Sequence, residues 1–370
     1  MAEPLKNHYG PRIPERIAGM IGAVYPAFDR RAFRRDALDG YEALELMPRG
    51  RHLARTLRRH LPASYPKALK ILLASIEPPG TPRGADLGTF SYMPHTFFVA
   101  EYGLDHLELS LQAQYELTQR FTAEFSIRPF LERHPEATLA RLRVWATDPS
   151  EHVRRLVSEG TRPRLPWAPR LRAFQRDPAP VLKLLELLKD DPALYVRRSV
   201  ANNLNDIGKD HPELLAQIAR RWLKGATPER AWVVRHALRS AVKRGEAGAL
   251  AALGFGGQAQ VEVSQVHLSP KRAALGGAVD LAFTLTSTSA RAQRLLVDFQ
   301  VFFVKASGKA SPKVFKLKAV ELAPGAALTL TKKISLAEMS TRRHYAGQHR
   351  VEVLLNGEAR PLGSFQLMPR

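Results

Sequence analysis

The spacing of apolar residues changes once along the chain. Up to about Leu253 they recur at helical intervals, as in Leu107, Leu109, Leu111, Tyr115, Leu117 and Phe121, or Val181, Leu182, Leu184, Leu185, Leu187 and Leu188. Such a period buries one face of a helix, so this half is predicted to be helical. Past Gly254-Phe255-Gly256-Gly257 come short runs rich in Val, Thr and Phe, divided by the turn formers Ser269-Pro270, Gly276-Gly277, Pro324-Gly325 and Asn356-Gly357. Segments 261–267, 279–287, 295–305, 314–321, 327–334, 349–355 and 362–368 read as strands. Seven short strands at this spacing predict an immunoglobulin-like β-sandwich. The expected fold class is multidomain α plus β: an all-α solenoid over residues 1–256, then a β-sandwich over 257–370.

The helical half contains a repeat. Asp148-Pro149 leads into His152-Val153-Arg154-Arg155-Leu156-Val157, and Asp191-Pro192 leads into Tyr195-Val196-Arg197-Arg198-Ser199-Val200. A third copy, Thr227-Pro228, precedes Val233-Val234-Arg235-His236-Ala237-Leu238. A period near 40 residues with two helices per unit marks a HEAT-like solenoid. The acid or hydroxyl of each Asp-Pro or Thr-Pro is expected to cap a helix, with the proline in its first turn. Val153 and Val157, and Val196, Val200 and Leu204, form the packing stripe between repeats.

The second arginine of each pair faces away from that stripe. Arg155 is followed four residues on by Glu159, and Arg198 by Asn202 and then, after another turn, Asp206. Taken alone, Arg155 and Glu159 are an ordinary surface pair worth about 0.2–0.5 kcal/mol, and Asp206 is a solvated helix end. The segment Gly160-Thr161-Arg162-Pro163-Arg164-Leu165-Pro166-Trp167 is less ordinary. Two prolines fix its course, two arginines are spaced for phosphate, and a tryptophan ends it. The alternative is a rigid connection between repeats with Trp167 buried as its anchor.

Charge narrows the function. The chain of 370 residues has 56 Lys and Arg against 35 Asp and Glu, a formal excess of +21. Both halves share it: residues 257–370 hold 16 basic against 7 acidic residues. A polyanionic partner is the direct reading, with solubility alone as the alternative. Cysteine is absent, which excludes disulfides, thiolate metal sites and a cysteine nucleophile. No phosphate-binding glycine loop, His-Glu-x-x-His or Gly-x-Ser-x-Gly occurs, and the histidines lack ligand spacing. No metal and no cofactor are expected. The polar N-terminus lacks a secretory layout, and the longest apolar run, Ile17 to Phe28, is too short to span a membrane. A cytoplasmic location, no membrane partner and a monomer are the expectations.

Val157-Ser158-Glu159-Gly160-Thr161-Arg162-Pro163-Arg164-Leu165-Pro166-Trp167, taken with Arg197-Arg198-Ser199-Val200-Ala201-Asn202-Asn203-Leu204-Asn205-Asp206-Ile207, resembles the AlkC branch of the HEAT-repeat DNA glycosylases, relatives of AlkD. Phe121-Thr122-Ala123-Glu124-Phe125-Ser126-Ile127-Arg128-Pro129-Phe130 is similar to a third family stretch. The resemblance covers roughly residues 5–250, and some members of the branch append an immunoglobulin-like domain. It implies a monofunctional N-glycosylase of base excision repair, without strand cleavage, that removes 3-methyladenine and 3-methylcytosine from double-stranded DNA. By matching motifs it assigns the catalytic carboxylates to Glu124, Glu159 and Asp206, with Trp167 as their aromatic neighbour.

Such chemistry suits these residue types. A base methylated at N3 is already cationic and leaves readily, so the enzyme has mainly to stabilise an oxocarbenium-like sugar, as paired carboxylates do in glycosidases. Glu159 and Asp206 from adjacent repeats are expected to flank that sugar, and Trp167 to offer a π face. Arg155, Arg162, Arg164, Arg198, Asn202 and Arg235 are the expected DNA contacts along the solenoid. Lys309 and Lys313, or Arg342, Arg343 and His344, are the candidate contacts from the β domain. The rival reading is a noncatalytic HEAT-repeat scaffold that binds nucleic acid, with a protein-binding solenoid as a further alternative. The scaffold accounts for the charge but not for carboxylates set within a basic groove.

Overall fold

The computed structural model describes residues 4–78, 88–338 and 343–369; Arg342, named above, lies outside them. They form two compact units, one running up to Asp210 and including Thr227–Ala237, the other made of His211–Ala226 and the chain from Leu238 onward. Helix gives way to strand between Ala247–Ala252, the last helix, and Val261. The compact units nevertheless do not divide where the residue pattern changes. Helices Pro212–Leu223, Arg239–Lys243 and Ala247–Ala252 belong with the strands. Close packing holds them there: a Cβ on Gly357 would fall 2.8 Å from the Gly245 Cα and 2.9 Å from Leu250 Cδ1. The Arg294 guanidinium lies 5.1 Å from the centre of the Phe255 ring.

In the first unit, helices Glu151–Gly160, Leu194–Ile207 and Pro228–Ala237 pack in succession. The predicted stripe of Val153, Val157, Val196, Val200 and Leu204 is their buried seam, and Val233 and Val234 of the third helix are buried as well. Each buried aliphatic side chain contributes about 1.5–3 kcal/mol of transfer free energy, and this term, rather than helix propensity, holds short helices in place. Pro135–Trp145 and Ala179–Leu188 supply the second layer. A separate core in the N-terminal helices gathers Ile17, Phe33, Leu53, Phe97 and Phe98.

The repeat entries differ from expectation in one respect. Asp148 and Asp191 do not cap their helices directly; Ser150 and Ala193 stand at those positions. Each aspartate instead accepts a hydrogen bond from the backbone N–H two residues on, Asp148 from Ser150 at 2.8 Å and Asp191 from Ala193 at 2.9 Å. That is an Asx turn, with the proline inside it ahead of the helix. Only Thr227-Pro228 follows the simpler pattern: Thr227 Oγ1 accepts from Arg230 N at 3.2 Å and Pro228 is the first helical residue.

The β region contains β1 (Val261–Ser269), β2 (Arg272–Ala273), β3 (Ala278–Ser287), β4 (Gln293–Val304), β5 (Ala310–Leu322), β6 (Ala327–Ser335), β7 (Gly347–Leu355) and β8 (Glu358–Leu367). They make two sheets, β1-β3-β6 and β2-β8-β7-β4-β5. All seven predicted strands are present. The addition is β2, two residues long and parallel to β8, too short to leave a periodic signal. Residues alternating inward from the two sheets, among them Phe283, Leu285, Val297, Phe299, Val351 and Phe365, fill the core. Asn356 and Gly357 join β7 to β8 with φ of 49° and 86°, the left-handed pair that a tight hairpin turn requires.

Candidate active site

A buried arginine fixes the loop that follows Glu151–Gly160. Arg128 donates from Nη1 to the carbonyls of Gly160 at 3.1 Å and Arg162 at 2.8 Å, and from Nη2 to that of Pro169 at 2.6 Å. Burial lowers its affinity for its proton to a pKa of about 10, still charged at neutral pH. Asn203 ties the same loop to the next repeat, donating to the Ser158 carbonyl at 2.7 Å and to Thr161 Oγ1 at 3.1 Å. Gly160 permits the close approach: a Cβ there would fall 2.5 Å from Ile127 Cγ2.

Between these repeats lies a network of acids and bases. Arg162, 8% exposed, donates from Nη1 to Glu159 Oε1 at 2.6 Å and from Nε to Asp206 Oδ2 at 2.9 Å, with Nη2 2.8 Å from the same oxygen. Burial opposes its charge, but the two carboxylates outweigh burial and hold its pKa above the usual value. Ser199 donates to Glu159 Oε2 at 2.6 Å, and Lys209 to Asp206 Oδ1 at 2.9 Å. Arg155 completes the group, 2.5 Å from Glu124 Oε2 and 3.7 Å from Glu159 Oε1. It also donates to Thr122 Oγ1 at 2.9 Å and lies 5.2 Å from the centre of the Tyr195 ring. Thr122 in turn donates to Glu124 at 2.9 Å.

The three predicted carboxylates thus meet in one network, and two of the predicted DNA contacts are inside it with them. Arg155 and Arg162 are engaged by carboxylates, and their side chains are only 16% and 10% exposed. Arg164 forms a bidentate pair with Asp210, Nε to Oδ2 at 2.8 Å and Nη2 to Oδ1. That hydrogen-bonded pairing raises its pKa. Arg198 and Arg235 are exposed, and Asn202 is half-buried on the same helix as Arg198. Sequence reasoning assigned no role to Ser199, Tyr195 or Arg128. One signal was available: Arg162 follows Glu159 by three residues, the spacing at which helical neighbours pair.

Trp167 is not a buried anchor. It is 71% exposed and sits at φ 63°, a left-handed conformation that a bulky side chain seldom adopts. It borders a groove of about 500 Å³ with Pro4, Leu5, Leu46, Met47 and Pro48, where Lys6 and Glu45 form an ion pair. Among the described residues no group of three His, Asp or Glu side chains is set to hold a metal ion, and no helix is long and apolar enough to cross a membrane.

Residues 262–369 match the family model described as the C-terminal Ig-like domain of the uncharacterised protein YhaZ. Over 364 residues the chain is 36% identical to the uncharacterized protein YhaZ of Bacillus subtilis (strain 168), covering 98% of this chain and 99% of that one. Among solved structures it is similar to the alkylpurine DNA glycosylase AlkC of Pseudomonas fluorescens bound to DNA containing an abasic-site analogue. That match has a TM-score of 0.90 and 41% identity, and it covers 99% of this chain and 100% of that one. With helical repeats, appended Ig-like domain and near-complete coverage all in agreement, the chain belongs to the AlkC family.

Proposed function

We propose that this protein is a monofunctional DNA N-glycosylase of base excision repair. It hydrolyses the N-glycosidic bond of cationic alkylated bases, 3-methyladenine and 3-methylcytosine, in double-stranded DNA, and acts as a monomer in the cytoplasm. One observation carries the reading: over nearly its whole length the chain is 41% identical to a DNA-bound alkylpurine glycosylase. The meeting of Glu124, Glu159 and Asp206 in one network supports it.

The chemistry follows from the charges. As the bond between C1′ and the base breaks, its electron pair goes to the base nitrogen and neutralises the cationic base. The sugar is left oxocarbenium-like, and carboxylate oxygens near it lower the barrier by electrostatic attraction. One carboxylate of Glu159 and Asp206 offsets that charge; the other accepts a proton from the water whose oxygen bonds to C1′. Glu124, tethered through Arg155, contributes a third negative charge. Trp167, exposed on its constrained turn, supplies an aromatic face for a cationic base, worth about 0.5–2 kcal/mol. Arg198, Asn202 and Arg235 serve as DNA contacts.

Release of free methylated base from methylated duplex DNA tests the proposal. Time-dependent release of 3-methyladenine without strand scission is the expected result. Salt-sensitive DNA binding without release would favour a noncatalytic HEAT-repeat scaffold.

A further inference from the structure

Arg162 was expected to face phosphate, and its surroundings give it a different task. The residue is 8% exposed and its guanidinium is bonded on both sides, with Nη1 on Glu159 and Nε and Nη2 on Asp206. Glu159 lies in the last turn of one helix and Asp206 in the last turn of another in the next repeat. A planar fork joining them fixes a spacing that two flexible side chains would not keep by themselves. We propose that Arg162 is a positioning residue for base excision, holding Glu159 and Asp206 at one spacing and both ionised, and that it makes no contact with phosphate. The inference rests on the glycosylase reading above.

Electrostatics makes this testable. Two carboxylates in one partly dry site repel, and without a cation between them one takes up a proton. Other charges face the pair from every neighbouring element. Arg155 stands on the Glu159 helix beside Glu124. Lys209 lies beyond the end of the Asp206 helix, bonded to Asp206 Oδ1. The charge of Arg128 is felt by Arg162, Glu124 and Asp206, and the Arg164–Asp210 pair lies close enough for Asp206 to act on Arg164. Lys209 is 37% exposed and touches only the far oxygen of Asp206, while Arg155 is 3.7 Å from Glu159. Neither bridges the two acids; Arg162 does.

The experiment compares the full-length wild type with Arg162→Gln and Arg162→Lys. It reads single-turnover release of 3-methyladenine from methylated duplex between pH 5.5 and 8.5. It also follows carboxyl titration by NMR in protein with 13C-labelled aspartate and glutamate, and affinity for duplex carrying an abasic-site analogue. For Arg162→Gln the acidic limb of the rate profile should move up by about one pH unit or more, giving a loss of roughly 10-fold or more near pH 6 that shrinks as pH rises. The carboxyl titrations of the pair should rise with it. Arg162→Lys keeps the charge but not the fork, so its limb should stay near that of the wild type with a lower rate at every pH. DNA affinity and its salt dependence should be unchanged in both. A loss uniform in pH with unmoved carboxyl titrations, full activity in Arg162→Lys, or weakened binding with a shallower salt slope would each overturn the assignment. If Arg162→Gln fails to fold, Arg162→Lys decides the matter alone by its rate and limb. Absence of base release by the wild type would remove the glycosylase reading instead, while the carboxyl titrations would still show whether Arg162 keeps both acids ionised.

Discussion

Arg154 and Asp191 join two successive repeats through a bidentate pair, Nε to Oδ2 at 2.6 Å and Nη2 to Oδ1 at 3.0 Å. Both side chains are largely buried, Asp191 almost entirely, and Arg154 also donates to the carbonyls of Asp148 and Pro149. Removing one partner leaves a buried charge or several unpaired donors. Arg154→Ala or Asp191→Ala is therefore expected to cost about 3 kcal/mol, and the double variant less than the sum of the two. Chemical denaturation followed by helical circular dichroism checks this. Additive losses would show that the two side chains do not act as a unit.

Gly160 offers a test of packing beneath the site. Its missing Cβ makes room for Ile127, a fully buried side chain with little freedom to move. Gly160→Ala is expected to destabilise the fold by about 1–3 kcal/mol and to slow base release by displacing Glu159, the adjacent residue. Thermal unfolding and single-turnover release measure the two effects. Normal values for both would mean that Ile127 yields easily.

Trp167 should separate stability from activity. At 71% exposure it contributes little to the core, so Trp167→Ala is expected to change stability by no more than about 0.5 kcal/mol. Loss of an aromatic face for a cationic base should still slow release about tenfold. Melting curves and base release on one preparation decide it. A large drop in stability with normal activity would make Trp167 a structural residue after all.

Arg198 and Arg235 remain as the exposed arginines of the repeat motif. If each neutralises one phosphate, Arg198→Ala and Arg235→Ala should each flatten the plot of log affinity against log salt by about 0.9. Binding of unmodified duplex between about 50 and 200 mM salt is the measurement. Unchanged slopes would remove both from the interface. Arg164→Ala should leave the slope alone, because Arg164 is already paired with Asp210.

Much of this architecture was legible because it rests on periodicity. Short runs rich in Val, Thr and Phe between turn formers marked every strand but the two-residue β2, and Asn356-Gly357 marked the β7–β8 hairpin. Valines 43 and 38 residues apart, Val153, Val196 and Val234, marked the repeat seam. What periodicity does not encode is burial of charge. Arg155 and Arg198 hold equivalent places in successive repeats, yet the first, like Arg162 in the loop beyond its helix, lies inside a network of carboxylates and the second faces solvent. That difference arises from partners more than 30 residues away, such as Glu124 for Arg155 and Asp206 for Arg162. The helices grouped with the sandwich were hidden for the same reason: Gly245 and Leu250 carry no local sign of their approach to Gly357.

The most direct test of the central claim compares release of 3-methyladenine from methylated duplex by the wild type, Glu159→Gln and Asp206→Asn. Each variant removes a negative charge while nearly conserving shape. Carboxylate-assisted base excision predicts release by the wild type, a fall of about 100-fold or more in both variants, and undiminished binding to duplex containing an abasic-site analogue. Release at the wild-type rate by either variant, or none by the wild type, would contradict it.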